Sequence, residues 1–258
     1  MDYVGIDIGS TAAKVVVRGS KELSFVMPTG WSSKETAVSI KETLKEQGID
    51  VEDGAQVVAT GYGRVAVDYA DHVITEITCH ARGGREMGSG TCAVIDVGGQ
   101  DTKVILIDHG MVQDFLMNDK CSAGTGKFLE VMANRLGVTL EELFQMAEAG
   151  EVVPISSLCT VFAESEVISY IGEGRKREDI AAGVVDSVAA KVAQLAMRKD
   201  LPEDIILTGG LSDSRYFSKI LSDKIGITVR PTAEGRYAGA LGAALLAEEK
   251  YERRRDAC

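Results

Sequence analysis

The segment "YVGIDIGSTAAKVVV" spans residues 3–17, and "CAVIDVGGQDTKVIL" spans residues 92–106. Both contain an Ile-Asp-aliphatic-Gly sequence, and in both a lysine follows the aspartate by seven residues, at Lys14 and Lys103. Each segment has the pattern of a strand, a tight glycine turn and a second strand. Because chance does not explain a match of this length, the sequence predicts two similar α/β halves, each starting with a β-hairpin whose turn faces a shared cleft.

The remaining segments predict further strands and several helices. Residues 32–47 place Ala37, Ile40 and Leu44 on one helical face, and residues 55–64 read as a buried strand that enters a glycine loop. Further helices are predicted over residues 124–136, 139–149, 160–172, 177–198, 214–226 and 237–255. The expected first domain covers residues 1–91 and is completed by a C-terminal helix at 234–258, and the expected second domain covers residues 92–233.

Composition restricts the class of protein. The 258 residues carry a net charge of −11, and a nucleic-acid-binding protein normally shows a basic surface, so nucleic acid is not an expected partner. No stretch reaches the roughly 18 apolar residues of a membrane helix, and the start "MDYVGIDIGS" lacks the form of a signal peptide. The sequence therefore predicts a cytoplasmic protein with no membrane partner. In a reducing compartment, its five cysteines are expected as core residues or ligands and not as disulfides.

The two Asp-x-Gly turns have the residue types that bind nucleotide phosphates. Glycine lets the backbone approach a phosphate closely, and Asp7 and Asp96, at the strand ends, would hold a hydrated Mg²⁺. Lys14 would neutralise phosphate charge, and Gln100 would orient the attacking water. One such turn could be an ordinary hairpin, but two matched turns and a third at Thr208-Gly209-Gly210 favour a nucleotide site.

These segments resemble the actin, Hsp70 and sugar-kinase ATPases. The phosphate segments of that superfamily look like "DIGSTAAK" and "DVGGQDTK", its adenosine segment looks like "LTGGLSD", and its connecting helices look like "KCSAGTGKFLEVMA" and "AGALGAALLA". The resemblance implies two actin-like (ribonuclease H-like) α/β domains with a nucleotide cleft between them, which open and close on ATP hydrolysis. The catalytic residues expected are Asp7, Asp96 and Gln100. The residues expected to bind ATP or ADP are Gly9, Ser10, Thr11, Lys14, Gly98, Gly99, Gln100, Gly124, Thr125, Gly126, Lys127, Gly209, Gly210, Leu211 and Ala240.

Two cysteines precede predicted helices. Cys121 and Cys159 are each expected at a helix N-terminus, where the helix dipole favours a thiolate. Their separation of 38 residues matches no zinc motif, and a [4Fe–4S] cluster generally takes four thiolates, which a symmetric homodimer would supply. From the residues alone, two inert turn cysteines are the favoured interpretation. Cys79 and Cys92 are expected in the core, and the three histidines are interpreted as structural.

The cysteine segments carry a second resemblance. "NDKCSAGTGKFLEVMA" and "SSLCTVFAESEVIS", together with both phosphate turns, look like the activator (component A) of 2-hydroxyacyl-CoA dehydratases and, more distantly, like the ATP-binding subunits of benzoyl-CoA reductase. The likeness covers about residues 3–248. It implies that Cys121 and Cys159 ligate one [4Fe–4S] cluster shared across a homodimer. A ferredoxin or flavodoxin would reduce the cluster, and ATP hydrolysis would drive one low-potential electron into the dehydratase.

Several alternatives stay open at the level of sequence. The partner could be another iron–sulfur enzyme, such as a benzoyl-CoA reductase or a double-cubane cluster protein. A small-molecule kinase or a non-catalytic ATP-dependent scaffold would use the same turns without a cluster. Glu164 and Glu166, in the first turns of the helix after Cys159, could sense the nucleotide or partner, or could serve only the helix N-terminus and solvent.

Overall fold

The computed structural model describes residues 1–155 and 159–256, which form strands and helices in alternation. The strands are β1 (Asp2–Ile8), β2 (Ala12–Gly19), β3 (Leu23–Pro28), β4 (Ala55–Thr60), β5 (His72–Val73), β6 (Cys92–Val97), β7 (Thr102–Asp108), β8 (Met111–Asn118), β9 (Ile205–Gly209) and β10 (Val229–Arg230). The helices are α1 (Ser33–Glu46), α2 (Glu76–Met87), α3 (Gly126–Leu136), α4 (Leu140–Ala149), α5 (Thr160–Gly172), α6 (Arg177–Ala196), α7 (Arg215–Ile225) and α8 (Ala238–Asp256).

The strands form two five-stranded sheets with equivalent orders. The first sheet runs β3-β2-β1-β4-β5, and the second runs β10-β9-β6-β7-β8. In the first sheet the β1–β2 and β2–β3 pairs are antiparallel, whereas β4 pairs in parallel with β1 and with β5. Each sheet thus contains a three-stranded meander, formed by β1–β3 in the first sheet and by β6–β8 in the second. Two further strands extend each sheet beside β1 or β6. The α/β fold class predicted from the repeated hairpin is confirmed.

The chain divides into two compact units. The first unit contains Met1–Val94, Ile105–Phe115 and the chain from Ala233 onward. The second unit contains Ile95–Val104 and Leu116–Thr232. In the first unit, the core lies between α1 and the sheet, where Ile6, Ile40 and Leu44 are fully buried.

Helix α8 packs very closely against β1 and α2, because glycines occupy the contact points. A Cβ atom on Gly5 of β1 would lie 1.9 Å from the carbonyl oxygen of Ala240. A Cβ atom on Gly242 would lie 1.8 Å from the carbonyl oxygen of Cys79, on α2. Any side chain at either position would collide with backbone atoms. Glycine at both positions therefore lets the backbone of α8 pack directly against the backbones of β1 and α2.

The second unit is built around α6, on which small and β-branched residues are buried for most of the helix length. Phe144 of α4 packs edge-on against Phe217 of α7, with ring centroids 6.4 Å apart. A Thr139–Glu142 capping box starts α4. These contacts stabilise the helical part of the second unit. The helices themselves, which follow residue 120, were predicted from the sequence.

The predicted helix starting at residue 124 begins later in the structure. Gly124 has φ of +90°, and Thr125 is the extended N-cap residue of α3, so the first helical residue is Gly126. Cys121 therefore lies in the loop, four residues before Thr125, and the prediction that it stands at a helix N-terminus is wrong. Cys159 does have the predicted position, because it is the N-cap residue of α5.

Candidate functional site

The first Asp-x-Gly turn connects β1 to β2. Gly9 donates its backbone N–H to the carbonyl of Ala12 at 3.1 Å, which closes the turn and leaves Ser10 and Thr11 exposed. Asp7 and Lys14 are cross-strand partners in the register of the hairpin, and their charged atoms are 3.9 Å apart. The turn therefore presents two hydroxyl side chains beside a buried carboxylate and a partly exposed ammonium group.

Asp7 keeps a buried acceptor atom without a protein donor. The residue is 3% exposed, and among the described residues its Oδ1 atom has no hydrogen-bond partner. Two glycines make room around it: a Cβ atom on Gly61 would lie 2.3 Å from Oδ1, and one on Gly239 would lie 2.7 Å from Oδ2. Buried carboxylate oxygens are almost always paired, so an unpaired one fits a water or a hydrated Mg²⁺.

The second Asp-x-Gly turn, between β6 and β7, holds its aspartate differently. Thr208 donates its hydroxyl to Oδ1 of Asp96 at 2.8 Å, and Nζ of Lys103 lies 3.5 Å from Oδ2. Lys103 is only 1% exposed and also contacts Asp101 at 2.7 Å. Asp96 is therefore positioned by a buried cation and a hydroxyl, whereas Asp7 is held more loosely.

Lys103 was not predicted as a site residue, and Thr208 was predicted only as the start of the third glycine turn, with no role of its own. The signal for Lys103 was present, because it occupies the same place in the repeat as Lys14. Its burial could not be read from the repeat, since the contact of its partner Asp96 with Thr208 joins residues 112 positions apart. A buried lysine between two carboxylates is a structural clamp, because removing one partner leaves an uncompensated charge.

The glycine loop before α3 contacts the second turn directly. Gly126 donates its N–H to the carbonyl of Gly98 at 2.9 Å, and Lys127 donates to Gly99 at 2.8 Å. Thr102 donates its hydroxyl to the carbonyl of Gly124 at 2.7 Å. The N–H groups of Gly126 and Lys127 thus hold the turn and are not free to bind an anion.

The third glycine turn follows β9 and reaches the end of β6. Gly209 has φ of +86°, and a Cβ atom there would lie 2.3 Å from the carbonyl oxygen of Val97, which accepts the N–H of Gly210 at 3.1 Å. Gly210 is exposed, whereas Leu211 is buried. Among the second unit's predicted nucleotide residues, those at 98–100, 124–127 and 209–211 therefore surround the C-terminal end of β6.

One predicted nucleotide residue of the first unit lies outside the turn that contains Gly9 to Lys14. Ala240, in the first turn of α8, is fully buried, and its carbonyl faces Gly5 of β1. In this position it fixes the start of α8 against the strand that carries Asp7.

The two predicted ligand cysteines both lie in the second unit. Cys121 is exposed and Cys159 is half-buried, and both are free thiols. The residues that follow them, Ser122 and Thr160, share a hydrogen bond of 2.7 Å between their hydroxyl oxygens. Asn118 supports the loop by donating its amide to the carbonyl of Cys121 at 2.9 Å.

The other described cysteines are core residues, as predicted. Cys79 and Cys92 are fully buried, and burial raises the pKa of the Cys79 thiol to about 12. With no exposed surface, Cys79 packs as a core residue between its neighbours. Cys258 lies outside the described residues.

The donor set at Cys121 and Cys159 fits half of an iron–sulfur cluster. Cys121 and Cys159 are both free thiols, each one residue from the Ser122–Thr160 hydrogen bond, and thiolates are the usual ligands of a [4Fe–4S] cluster. Across residues 1–155 and 159–256, however, no group of three or more His, Cys, Asp or Glu side chains could hold a metal ion. One chain therefore offers two of the four thiolates that such a cluster takes.

Glu164 and Glu166 have different surroundings. Glu164 pairs with Arg135 of α3 through its Oε1 atom, 3.0 Å from Nε, and so connects α5 to α3. Glu166 lines a shallow groove with Pro154 and Tyr170, whose hydroxyl donates to the carbonyl of Pro154. The predicted roles at the nucleotide or partner stay predictions for both residues.

The profile of the BadF/BadG/BcrA/BcrD ATPase family matches residues 4–247. The chain belongs to this ATPase family. The (R)-2-hydroxyglutaryl-CoA dehydratase activating ATPase of Acidaminococcus fermentans is 42% identical to this ATPase over 252 residues, which are 96% of this chain and 97% of that protein. A more distant relative, one of the subunits of benzoyl-CoA reductase from Thauera aromatica, is 29% identical over 265 residues, 96% of this chain and 94% of that protein.

Solved structures agree with this family membership. The activator of 2-hydroxyisocaproyl-CoA dehydratase from Clostridium difficile, with bound ADPNP, superposes with a TM-score of 0.92 at 38% identity and covers 100% of this ATPase and 98% of that chain. A ROK family glucokinase from Streptomyces griseus superposes with a TM-score of 0.59 at 18% identity, covering 96% and 100% of the two chains, which shows a shared fold alone. No helix in the described part of this ATPase has both the length and the apolar character needed to cross a bilayer.

Proposed function

We propose that this ATPase is a reductive activator of a 2-hydroxyacyl-CoA dehydratase. It binds Mg–ATP through its two Asp-x-Gly turns and hydrolyses it to drive one low-potential electron into the dehydratase. Relatives named as dehydratase activators, nearly full-length and about 40% identical, support this assignment. Cys121 and Cys159 of two copies of the chain would hold a [4Fe–4S] cluster, and this cluster would supply the low-potential electron.

The observation that carries the proposal is the segment of residues 121–127. At one end it has the exposed thiol of Cys121, and at the other end its amides donate to Gly98 and Gly99 of the second phosphate turn. A displacement of this turn when the γ-phosphate leaves would be transmitted to the start of α3 and to Cys121 within seven residues. A kinase or a scaffold protein has no need of such a connection between a turn and a thiol.

Two further contacts extend the connection to the second cysteine. The Ser122–Thr160 hydrogen bond joins the Cys121 loop to the first residue of α5, and the Arg135–Glu164 pair joins α3 to the next turn of α5. Movement of α3 would therefore carry α5 and Cys159 with it. Both ligands of the cluster would respond to the nucleotide as one assembly.

The surface of α5 supports a homodimer. Val161 and Phe162, directly after Cys159, are 65% and 64% exposed, and Ile168 and Ile171 are also exposed further along the helix. Exposed apolar residues in such a cluster mark a surface that is covered in an assembly. A second copy of the chain would cover this surface and would supply the two missing thiolates.

Asp7 is the main candidate to hold Mg²⁺ through water, because Oδ1 is buried and has no partner among the described residues. Asp96 would do so from a position fixed by Thr208 and Lys103, and Gln100, exposed at the turn, would orient the attacking water. Magnesium would neutralise the charge that develops on the phosphates. A ferredoxin or flavodoxin supplies the electron.

A second candidate function follows from the more distant relative. The chain would deliver its electron to another iron–sulfur enzyme, of the benzoyl-CoA reductase or double-cubane kind. The same turns and cysteines serve both functions, because the acyl-CoA substrate is held by the partner enzyme.

Iron and acid-labile sulfide, measured on anaerobically purified protein, test the proposal. We expect about four iron and four sulfide ions per dimer, as one [4Fe–4S] cluster requires. Cys121→Ser and Cys159→Ser should lose them, whereas Cys79→Ala, which alters a buried core thiol, should retain them. Wild-type protein without iron after anaerobic reconstitution would refute electron activation and leave a nucleotide-driven kinase or scaffold.

A further inference from the structure

A cavity of about 320 Å³ opens beside Cys121 in the second unit. One wall is formed by the ends of β7 and β8 and by the loop that carries Cys121, and the opposite wall is formed by the C-terminal half of α6 and the residues after it. Its lining includes Asn118, Cys121, Gly124, Lys191, Gln194 and Arg198. The proposed function uses Cys121 but gives no role to the cavity itself or to Lys191, Gln194 and Arg198.

The cavity carries positive charge. Lys191 and Arg198 are seven residues apart, so they lie on the same side of α6 and its extension. Neither has an ion-pair partner among residues 1–155 and 159–256. The helix dipole favours a cation such as Arg198 at the end of α6, but Lys191 lies too far inside the helix for that explanation.

The charge is local, because the chain as a whole has a net charge of −11. Next to Cys121, the exposed Lys120 is offset by Asp119, so the excess positive charge comes from Lys191 and Arg198. Gln194, which is exposed on the same wall, adds an amide N–H donor. Two cations and an amide around an open cavity match the charge and the acceptor atoms of a carboxylate.

We propose that this cavity is the docking site for an acidic surface of the electron-donating protein, with a carboxylate of the donor entering between Lys191 and Arg198. This inference rests on the proposed function. An acidic donor is repelled by most of a chain of this charge, and a local basic site next to a cluster ligand would direct its approach. In the transfer, the donor loses one electron and the cluster gains one, and no bond forms or breaks.

The test uses reduced flavodoxin as the donor and the cluster-loaded dimer as the acceptor. The rate constant of cluster reduction is measured by stopped flow against ionic strength for wild type, Lys191→Gln, Arg198→Gln and the double variant. Lys219→Gln and Arg215→Gln are matched controls, because both cations are exposed on α7 of the same unit, outside the cavity. Reduction by methyl viologen radical, iron content, midpoint potential and sedimentation are recorded for every variant.

We expect the double variant to react with flavodoxin about tenfold more slowly at low salt and with a weaker salt dependence, since electrostatic steering accelerates association by about 10-fold or more. The controls should react like wild type, and iron content, dimer state and methyl viologen reduction should be unchanged throughout. Wild-type rates and salt dependence in the double variant would overturn the docking site while the cluster and the proposed function stand. A shifted midpoint potential or a dissociated dimer in the cavity variants would also overturn it. Wild-type protein without iron would overturn both.

Discussion

The hydroxyl oxygens of Ser122 and Thr160 lie 2.7 Å apart, and these residues directly follow Cys121 and Cys159. This hydrogen bond joins the Cys121 loop to the first residue of α5, 38 residues further along the chain. Because each hydroxyl is one residue from a thiol, the bond limits how far the two sulfur atoms can separate. Any motion that parts α3 from α5 has to stretch or break it.

Removing this hydrogen bond should loosen the cluster site. We expect Ser122→Ala and Thr160→Val each to lower the free energy of unfolding by about 1 kcal/mol, with a non-additive double variant, because the two hydroxyls satisfy each other. Urea unfolding of the four proteins gives the coupling. Loss of iron to a chelator should be faster in all three variants. Fully additive effects would show that the two hydroxyls do not interact.

Lysine at the two matched positions of the repeat should have unequal effects on stability. Lys103→Met leaves Asp96 and Asp101 without a buried cation and should lower the free energy of unfolding by about 3 to 5 kcal/mol. Lys14→Met, at a position 22% exposed and 3.9 Å from its partner, should cost about 1 kcal/mol or less. Urea midpoints distinguish the two, and equal losses would contradict the clamp assigned to Lys103.

Asp7→Asn should separate activity from stability. The substitution keeps the size of the side chain, and Oδ1 has no hydrogen bond to lose among the described residues, so the unfolding midpoint should stay near the wild-type value. The ATPase rate should fall about 100-fold, a typical effect of removing one electrostatic contact to the transition state. Asp2→Asn, at the opposite end of β1, is the control and should retain activity. An active Asp7→Asn protein would remove Asp7 from the magnesium site.

Substitution of glycine by alanine should have opposite effects on stability at a crowded and at an open position. Gly242→Ala would place Cβ 1.8 Å from a backbone oxygen of α2 and should lower the free energy of unfolding by more than about 3 kcal/mol, since the backbone has to move. Gly172→Ala, at the end of α5 with no atom within 4 Å of the added Cβ, should be neutral or stabilise by up to about 1 kcal/mol. Thermal unfolding of both variants checks the expectation. A stable Gly242→Ala protein would contradict the close packing of α8.

Thiol reactivity should distinguish the ligand cysteines from the core. At a pH of about 8, Cys121 and Cys159 should react with iodoacetamide in protein stripped of iron and be protected in the cluster-loaded dimer, as peptide mass spectrometry would reveal. Cys79 should stay unlabelled in both, roughly a thousandfold slower, because its raised pKa leaves almost no thiolate. Equal labelling of Cys121 with and without iron would argue against its role as a ligand.

The same raised pKa predicts a pH dependence of stability. The thiol of Cys79 stays neutral in the folded protein, whereas in the unfolded chain it ionises near its ordinary pKa of 9.0. The free energy of unfolding therefore has its full contribution from this thiol below pH 9.0 and loses it as the pH rises towards about 12. The urea midpoint of wild type should therefore fall more steeply than that of Cys79→Ala in this range. Parallel curves would contradict the burial of an ionisable thiol there.

Local signals were sufficient to predict the hairpins and most helices. The strand alternation and the glycine turn around Asp7 and Asp96 each lie within a single short segment, and the buried face of α1 follows from its helical period. The first residue of α3 was harder to predict from the sequence. It depends on the positive φ of Gly124, whose carbonyl accepts a hydrogen bond from Thr102.

Long-range contacts could not be read from the sequence. Lys14 and Lys103 have equal offsets from their aspartates, yet only Lys103 is fully buried, where it contacts both Asp96 and Asp101. The Ser122–Thr160 bond likewise depends on the packing of α5, which no local pattern encodes. The spacing along the sequence predicted an aspartate and a lysine at matched positions of the two hairpins. The burial and the further partners of each lysine depend on tertiary packing.

The close approach of α8 to β1 and α2 has a consequence for protein synthesis. Residues 95–232, which include the whole of the second unit, leave the ribosome before α8 does. Until residues 238–256 emerge, the surfaces around Gly5 and Cys79 have no helix to cover them. The unit that begins the chain is therefore the last to be completed during translation, and the nascent protein has to shield its first sheet for most of that time.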